Sequence, residues 1–251
     1  MRIILMFLII TCGLIAEMSA NYLRERLPNL HICPRSQLQT CLPQSLDSMR
    51  PYLAQGVRRL GIPSFEPYYM EFYKITSRNR FIPLLKFRDT FVNGISNFTI
   101  SNVKIANRKE YIQFFAHFPF VNVSTKLDGY SSLTIPFLKS SRYDINSNFS
   151  DVTADITIRG TKFEYEEDKE QYFSVDNVTV VFRNIGEMTT KKKQRGTPAY
   201  LTQVVNDYLL REWEALRSEL NYRLEEVAAE IIQTVSSRIY TNFPLNMLMT
   251  R

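Results

Sequence analysis

From about Pro198 to Tyr240 the chain reads PAYLTQVVNDYLLREWEALRSELNYRLEEVAAEIIQTVSSRIY, with apolar residues at steps of three and four from Leu201 to Ile239. That period matches an α-helix, and no Gly or Pro interrupts it. Pro198 falls near the start, where proline is tolerated, and Pro244 lies beyond the end. At 1.5 Å per residue such a helix spans about 60 Å. A stripe of that length has to be buried, and two arrangements achieve it. One is a coiled coil, but the repeat departs from strict a/d spacing and admits polar residues. The other is a long, curved antiparallel sheet wrapped around the helix.

The residues from 68 to 183 supply strands for such a sheet. YIQFFAHFPFVNVS (111–124) places Ile112, Phe114, Ala116, Phe118 and Phe120 on one face, with Tyr111, Phe115, Val121 and Val123 on the other. DVTADITIRG alternates Val152, Ala154, Ile156 and Ile158 against Asp151, Thr153, Asp155 and Thr157. DNVTVVF sets Val178, Val180 and Phe182 opposite Asn177 and Thr179. This period of two is that of half-buried strands. Asn93-Gly94, Asp128-Gly129 and Gly160 are expected to turn the chain between them. Upstream, Leu46, Met49, Tyr52, Leu53 and Val57 predict a short amphipathic helix stopped by Gly61 and Pro63. The aromatic strand faces favour wrapping. Where sheet and helix diverge, Phe114, Phe118, Phe120, Trp213, Leu216 and Leu220 are expected to wall an apolar tunnel suited to a lipid-like ligand.

The first 20 residues, MRIILMFLIITCGLIAEMSA, set the compartment. Arg2 precedes an apolar run, Ile3 to Ile15, and Met18-Ser19-Ala20 offers a small-residue cleavage site. The run is shorter than the ~20 residues of a membrane span, so it reads as a secretory signal peptide over 1–20. A single extracellular domain over 21–251 would follow, without stable membrane insertion. Cleavage removes Cys12 and leaves Cys33 and Cys41, which in an oxidising setting read as a disulfide. Their spacing is not that of a C-x-x-C redox pair. His31 sits beside them, but a zinc site needs about four ligands, and the only other histidine is His117. No metal or cofactor is expected. Asn97, Asn122, Asn148 and Asn177 begin N-x-S/T sequons and are candidate glycan acceptors.

The formal charge of +6 is spread among acids, so it does not indicate a nucleic-acid partner. The one dense run, KKKQR from Lys191 to Arg195, is expected to be a solvated loop. No G-x-S-x-G elbow occurs, and His117 lies in an aromatic strand, so catalysis is not expected. The alternative to an internal binding site is a membrane-surface or protein-interaction module, using residues 191–195 and the apolar tail PLNMLM.

Several linked segments resemble the insect takeout and juvenile-hormone-binding protein family. LPNLHICPRSQLQTCLPQSLDSMRPYLAQGVRRLGIPSFEPYYM is similar to the family's opening, two cysteines, a helix and a Gly61-Ile62-Pro63 turn with Pro67. NGISNFTISNVKI, LDGYSSLTIPFLKSSRYDINSNFSDVTADITIRG, YLLREW and NFPLNMLM follow in the family's order. The resemblance implies an α+β fold, with a strongly curved antiparallel sheet wrapping a long C-terminal helix (a TULIP-like super-roll) around a hydrophobic tunnel. It also implies a secreted, non-enzymatic, monomeric carrier of juvenile hormone-like terpenoids, fatty acids or other lipids. The takeout branch, to which the single disulfide is closer, is linked to circadian and feeding behaviour.

Overall fold

The structure, a computed structural model, describes residues 31–76, 84–106, 111–130, 140–164, 169–195 and 213–250. The proposed signal peptide and the first part of the expected long helix, 198–212, lie outside the described residues. Within them the chain runs β1 (Cys33–Pro34), α1 (Leu38–Gln55), β2 (Tyr68–Thr76), β3 (Leu84–Asn93), β4 (Thr99–Ala106), β5 (Tyr111–Tyr130) and β6 (Ser140–Glu164). It continues through β7 (Gln171–Asn184), β8 (Met188–Arg195), α2 (Trp213–Asn242), α3 (Leu245–Leu248) and β9 (Met249–Thr250).

The backbone of the fold is the antiparallel pair β5 and β6, joined in register from Tyr111↔Arg159 to Tyr130↔Ser140. At about 3.3 Å per residue, the 20 residues of β5 reach roughly 66 Å. Each outer edge of the pair is shared by two strands. Along β5, β4 covers Tyr111–His117 and β3 covers Asn122–Tyr130, with β2 beyond β3. Along β6, β7 covers Thr153–Glu164 and β8 covers Arg142–Phe149. The seven strands therefore form two connected halves of one sheet. In the first half, Val152, Ala154, Ile156, Ile158, Val178 and Val180 are buried as their alternation demands. Each such aliphatic side chain contributes roughly 1.5–3 kcal/mol by leaving water.

Helix α2 runs 30 residues, about 45 Å, between the two margins of the curled sheet. On the β7 side, the Phe182 N–H donates to Glu225 Oε1 (2.8 Å), and Ala228, Ala229, Ile232 and Tyr240 pack into the sheet's core. On the β2 side, burial and the Glu230 carboxylate raise the phenol pKa of Tyr68. Burial and Glu226 do the same to Tyr73. Both margins thus face the same helix, which is the wrapped arrangement. Helix α1 closes one end, where Leu53, Ile62 and Val235 form a common cluster.

Five local expectations are corrected. Helix α1 begins at Leu38 and ends at Gln55, because Gly56 takes φ 75° and a Cβ there would meet the Ser64 backbone. Asp128-Gly129 is not a turn but lies inside β5, paired on both sides with β3 and β6, whose ladders outweigh local turn preference. Gly160 likewise continues β6 at a bulge, where it admits the Phe173 ring and the Ser174 carbonyl. The basic run Lys191–Arg195 is strand, not loop. It occupies the open edge of β6, and charged residues suit a sheet margin. Finally, Phe120 is 50% exposed and leaves the core.

That last departure has a structural cause. In β5 the buried residues up to Phe118 are even-numbered (Phe114, Ala116), and farther along Thr125 and Asp128 are buried, one on each face. In β6 the odd-numbered Tyr143 and Ser147 give way to the even-numbered Val152, Ala154 and Ile156. The faces switch between the Phe118↔Val152 and Phe120↔Ser150 pairs, at Pro119 and Asp151, the latter in the left-handed region at φ 48°. Beyond this waist the interior is partly polar, with hydroxyl pairs Thr90–Thr125 (2.7 Å) and Ser147–Thr190 (2.9 Å) crossing the strands.

Candidate functional site

Three periodicities converge on one space in the first half of the roll. Strand β5 contributes Ile112, Phe114, Ala116 and Phe118 at steps of two. Helix α1 contributes Leu38, Leu42, Leu46, Met49 and Leu53, and α2 contributes Ala228, Ile232, Val235 and Ile239, both at steps of three and four. These stripes, with Ile156, Ile158 and Phe173 from the sheet, enclose a cavity of about 400 Å³. That volume falls within the range of small-molecule sites, ~300–1,000 Å³. Ala116 on the sheet and Ala228 on the helix leave the space open, since neither carries a side chain long enough to fill it.

The C-terminal segment closes the cavity, as Phe243, Leu245, Leu248 and Met249 all line it. Met249 pairs in parallel with Cys33, and Cys33 is bonded to Cys41 of α1 (S–S 2.07 Å). The expected disulfide therefore ties α1 to β1, and through β1 to β9, in one corner of the site. His31 lies close to both sulfurs, its ring nitrogen and theirs all within 4.8 Å. Because the sulfurs are consumed in the disulfide, this cluster offers a metal only one imidazole, too few for a site. The His31 N–H donates to Ser48 Oγ (2.9 Å). Within the apolar tail, Pro244 and Leu245 are buried, while Met247, Leu248 and Met249 are half-buried.

Of the expected wall residues, the structure brings Phe114 and Phe118 to the cavity and places Phe120 outside it. Trp213, Leu216 and Leu220 lie in the first turns of α2, with side chains outside the described residues. Sequence periodicity missed α1's stripe above Leu46, the C-terminal residues, and polar members that include Ser45, Lys162, Ser236 and Tyr240. Lys162 could have been found by carrying the β6 alternation past Ile158, which puts residue 162 on the buried face.

His117 points away from the cavity and meets Asp151 Oδ1 at 3.3 Å; among the described residues no hydroxyl or thiol bonds to it. Asn97 and Asn177 are exposed, as glycan attachment requires. Asn122 and Asn148 are in register on neighbouring strands, the Asn122 Nδ2 donating to Asn148 Oδ1 (2.6 Å) and Asn146 Oδ1 (3.0 Å).

Comparison with curated proteins gives no match. Among solved structures, the fold is similar to that of Epiphyas postvittana Takeout 1, with a TM-score of 0.69 at 14% sequence identity, over 88% of this chain and 99% of that one. A lipopolysaccharide binding protein is more distantly similar, with a TM-score of 0.36 and 12% identity, over 79% of this chain and 38% of the other. The family model of haemolymph juvenile hormone binding protein (JHBP) matches residues 6–250, and the chain belongs to that family.

Proposed function

We propose that this protein is a secreted carrier that holds one small hydrophobic ligand, a juvenile hormone-like terpenoid, a fatty acid or another lipid, in the cavity between sheet and helices. The observation that carries this reading is the cavity itself. Leaving about 400 Å³ inside an apolar core forgoes packing on the order of 10 kcal/mol, at ~24 cal/mol per Å³. That is comparable to the whole stability of a domain. A wall built from three separate apolar stripes is shaped for an occupant.

The chain's own residues bind and exclude water; no step of bond making is assigned to them. The N-terminal apolar segment and the family's printed name support secretion into haemolymph or a similar fluid, with glycans carried at some of the four sequons. The protein would act as a monomer, and its physiological setting, by likeness to takeout, would be circadian or feeding behaviour. The test is native mass spectrometry of protein secreted from insect cells. It should show one co-purifying apolar molecule per chain, or one taken up on adding a terpenoid or fatty acid. A protein that neither carries nor takes up such a molecule would refute the reading.

A further inference from the structure

We propose that Tyr240 and Ser236 form the polar end of the cavity, where their hydroxyls hold the carbonyl of an ester, ketone or acid whose apolar tail lies along α2. The proposal rests on the carrier reading and adds to it the ligand's head group and its direction.

Ala228, Ile232, Ser236 and Tyr240 follow one another at steps of four and so form a single row along α2. All of them line the cavity. The period that makes this helix amphipathic calls for apolar side chains throughout such a row. Two members instead carry hydroxyls, and these are neighbours, at the end of the row where Leu245 and Met249 of the C-terminal segment join the same cluster as Tyr240.

The Tyr240 ring is held by apolar packing. It meets the Phe173 ring edge-on with centroids 5.0 Å apart. Burial pushes its phenol above the ordinary pKa, so the group stays neutral and keeps its proton to donate. Among the described residues no hydrogen bond reaches the hydroxyl of Tyr240 or that of Ser236. Thr234, exposed on the same helix, gives the contrast: its hydroxyl donates to the Glu230 carbonyl at 2.8 Å. Ser236 makes no such bond to the Ile232 carbonyl. A buried phenol nearly always finds a partner, and here a ligand is in the position to supply one. Lys162 lines the cavity as well, with an interaction partner already in place. The unmet capacity on α2 is therefore neutral. A carbonyl oxygen, with two lone pairs and no proton of its own, accepts from either hydroxyl or from both.

The opposite end of the row is apolar, and Phe114, Ile156 and Ile158 line the cavity with it. A carbonyl at Tyr240 thus directs the tail back along α2, past Ile232 towards Ala228. A plain hydrocarbon would fill the same space and leave both hydroxyls unmet.

The test is displacement of N-phenyl-1-naphthylamine, near neutral pH, by methyl laurate and by pentadecane, chains with equal numbers of non-hydrogen atoms. Loss of one hydrogen bond should lower the affinity for the ester, relative to the alkane, about fivefold in Tyr240→Phe. Ser236→Ala should lower it by a smaller factor. A packing role alone would shift both ligands together. Infrared spectra of methyl laurate with an isotope-labelled carbonyl give a second readout. The bound carbonyl band should fall below its position in hexane for the wild type, and rise back towards it in Tyr240→Phe. An unchanged ester-to-alkane ratio in folded Tyr240→Phe overturns the proposal and leaves the carrier reading intact. So does a wild-type carbonyl band at the hexane position. If probe, ester and alkane all fail to bind the folded wild type, the carrier reading falls and this proposal with it. Because the infrared band is read on the wild type, a variant that fails to fold does not shield the proposal.

Discussion

Ala228→Phe should empty the binding site of its ligand while leaving the fold standing. Ala228 lies on α2, lines the cavity and packs against the sheet core. A cavity of about 150 Å³ accommodates one benzene, so a phenyl ring takes up a sizeable part of the cavity's 400 Å³. Placed there, the ring competes with roughly four methylenes of a ligand tail. At ~0.8 kcal/mol each, the loss is about 3 kcal/mol, or on the order of a hundredfold in affinity. Burying the new ring contributes roughly 1.5–3 kcal/mol, offset by about 1–3 kcal/mol of overpacking. Stability should therefore change little. Probe titration reports affinity and urea unfolding reports stability, on the same preparation. A folded Ala228→Phe protein that binds with unchanged affinity would show that the ligand lies elsewhere, and the cavity argument would fail.

Phe120→Ala should leave binding unchanged and cost under ~1 kcal/mol, because this side chain is half exposed beyond the waist of the sheet; a tenfold loss of affinity would put Phe120 back in the wall. Replacing Cys33 and Cys41 together by serine should cost about 2–3 kcal/mol, the loop-closure value for a separation of 8. It should also loosen the β1–β9 corner, seen as faster amide exchange at Met249, and unchanged exchange there would argue against the clamp. Above about pH 10 stability should fall. The buried Tyr240 phenol has a raised pKa, so the folded state holds its proton more tightly than the unfolded state. That contribution is complete below the unfolded value and lost as pH climbs through the folded one. Tyr240→Phe should flatten this alkaline limb in denaturation midpoints; an unaltered slope would show that the phenol does not titrate on unfolding.

Much of the architecture follows from local pattern, and its failures follow from what pattern omits. Val152 to Ile158 and Val178 to Phe182 alternate because one face meets the core, and the structure buries the expected side. The reading of Phe120 failed because period two was carried through Pro119, opposite the point where β6 changes faces. Proline within an apparent central strand was the available signal. Asp128-Gly129 has turn chemistry, yet a strand paired along both edges overrides it. The basic run resembled a loop because edge strands and loops share a charged composition. The cavity was foreseeable only in kind. Phe114 and Phe118 could be placed by face, but the opposing stripe of α1 and the small residues Ala116 and Ala228 acquire meaning only once three elements meet. Lys162 escaped notice because Gly160 suggested that the strand had ended.

The most direct test of the central claim is a crystal structure of the protein with a terminally brominated fatty acid, the bromine located by its anomalous signal. A single peak among Phe114, Ile156, Ile232 and Val235, at full occupancy, is the predicted result. A bromine found only on the outer face of the sheet, or none inside a saturated crystal, would contradict the assignment of this cavity as the carrier site.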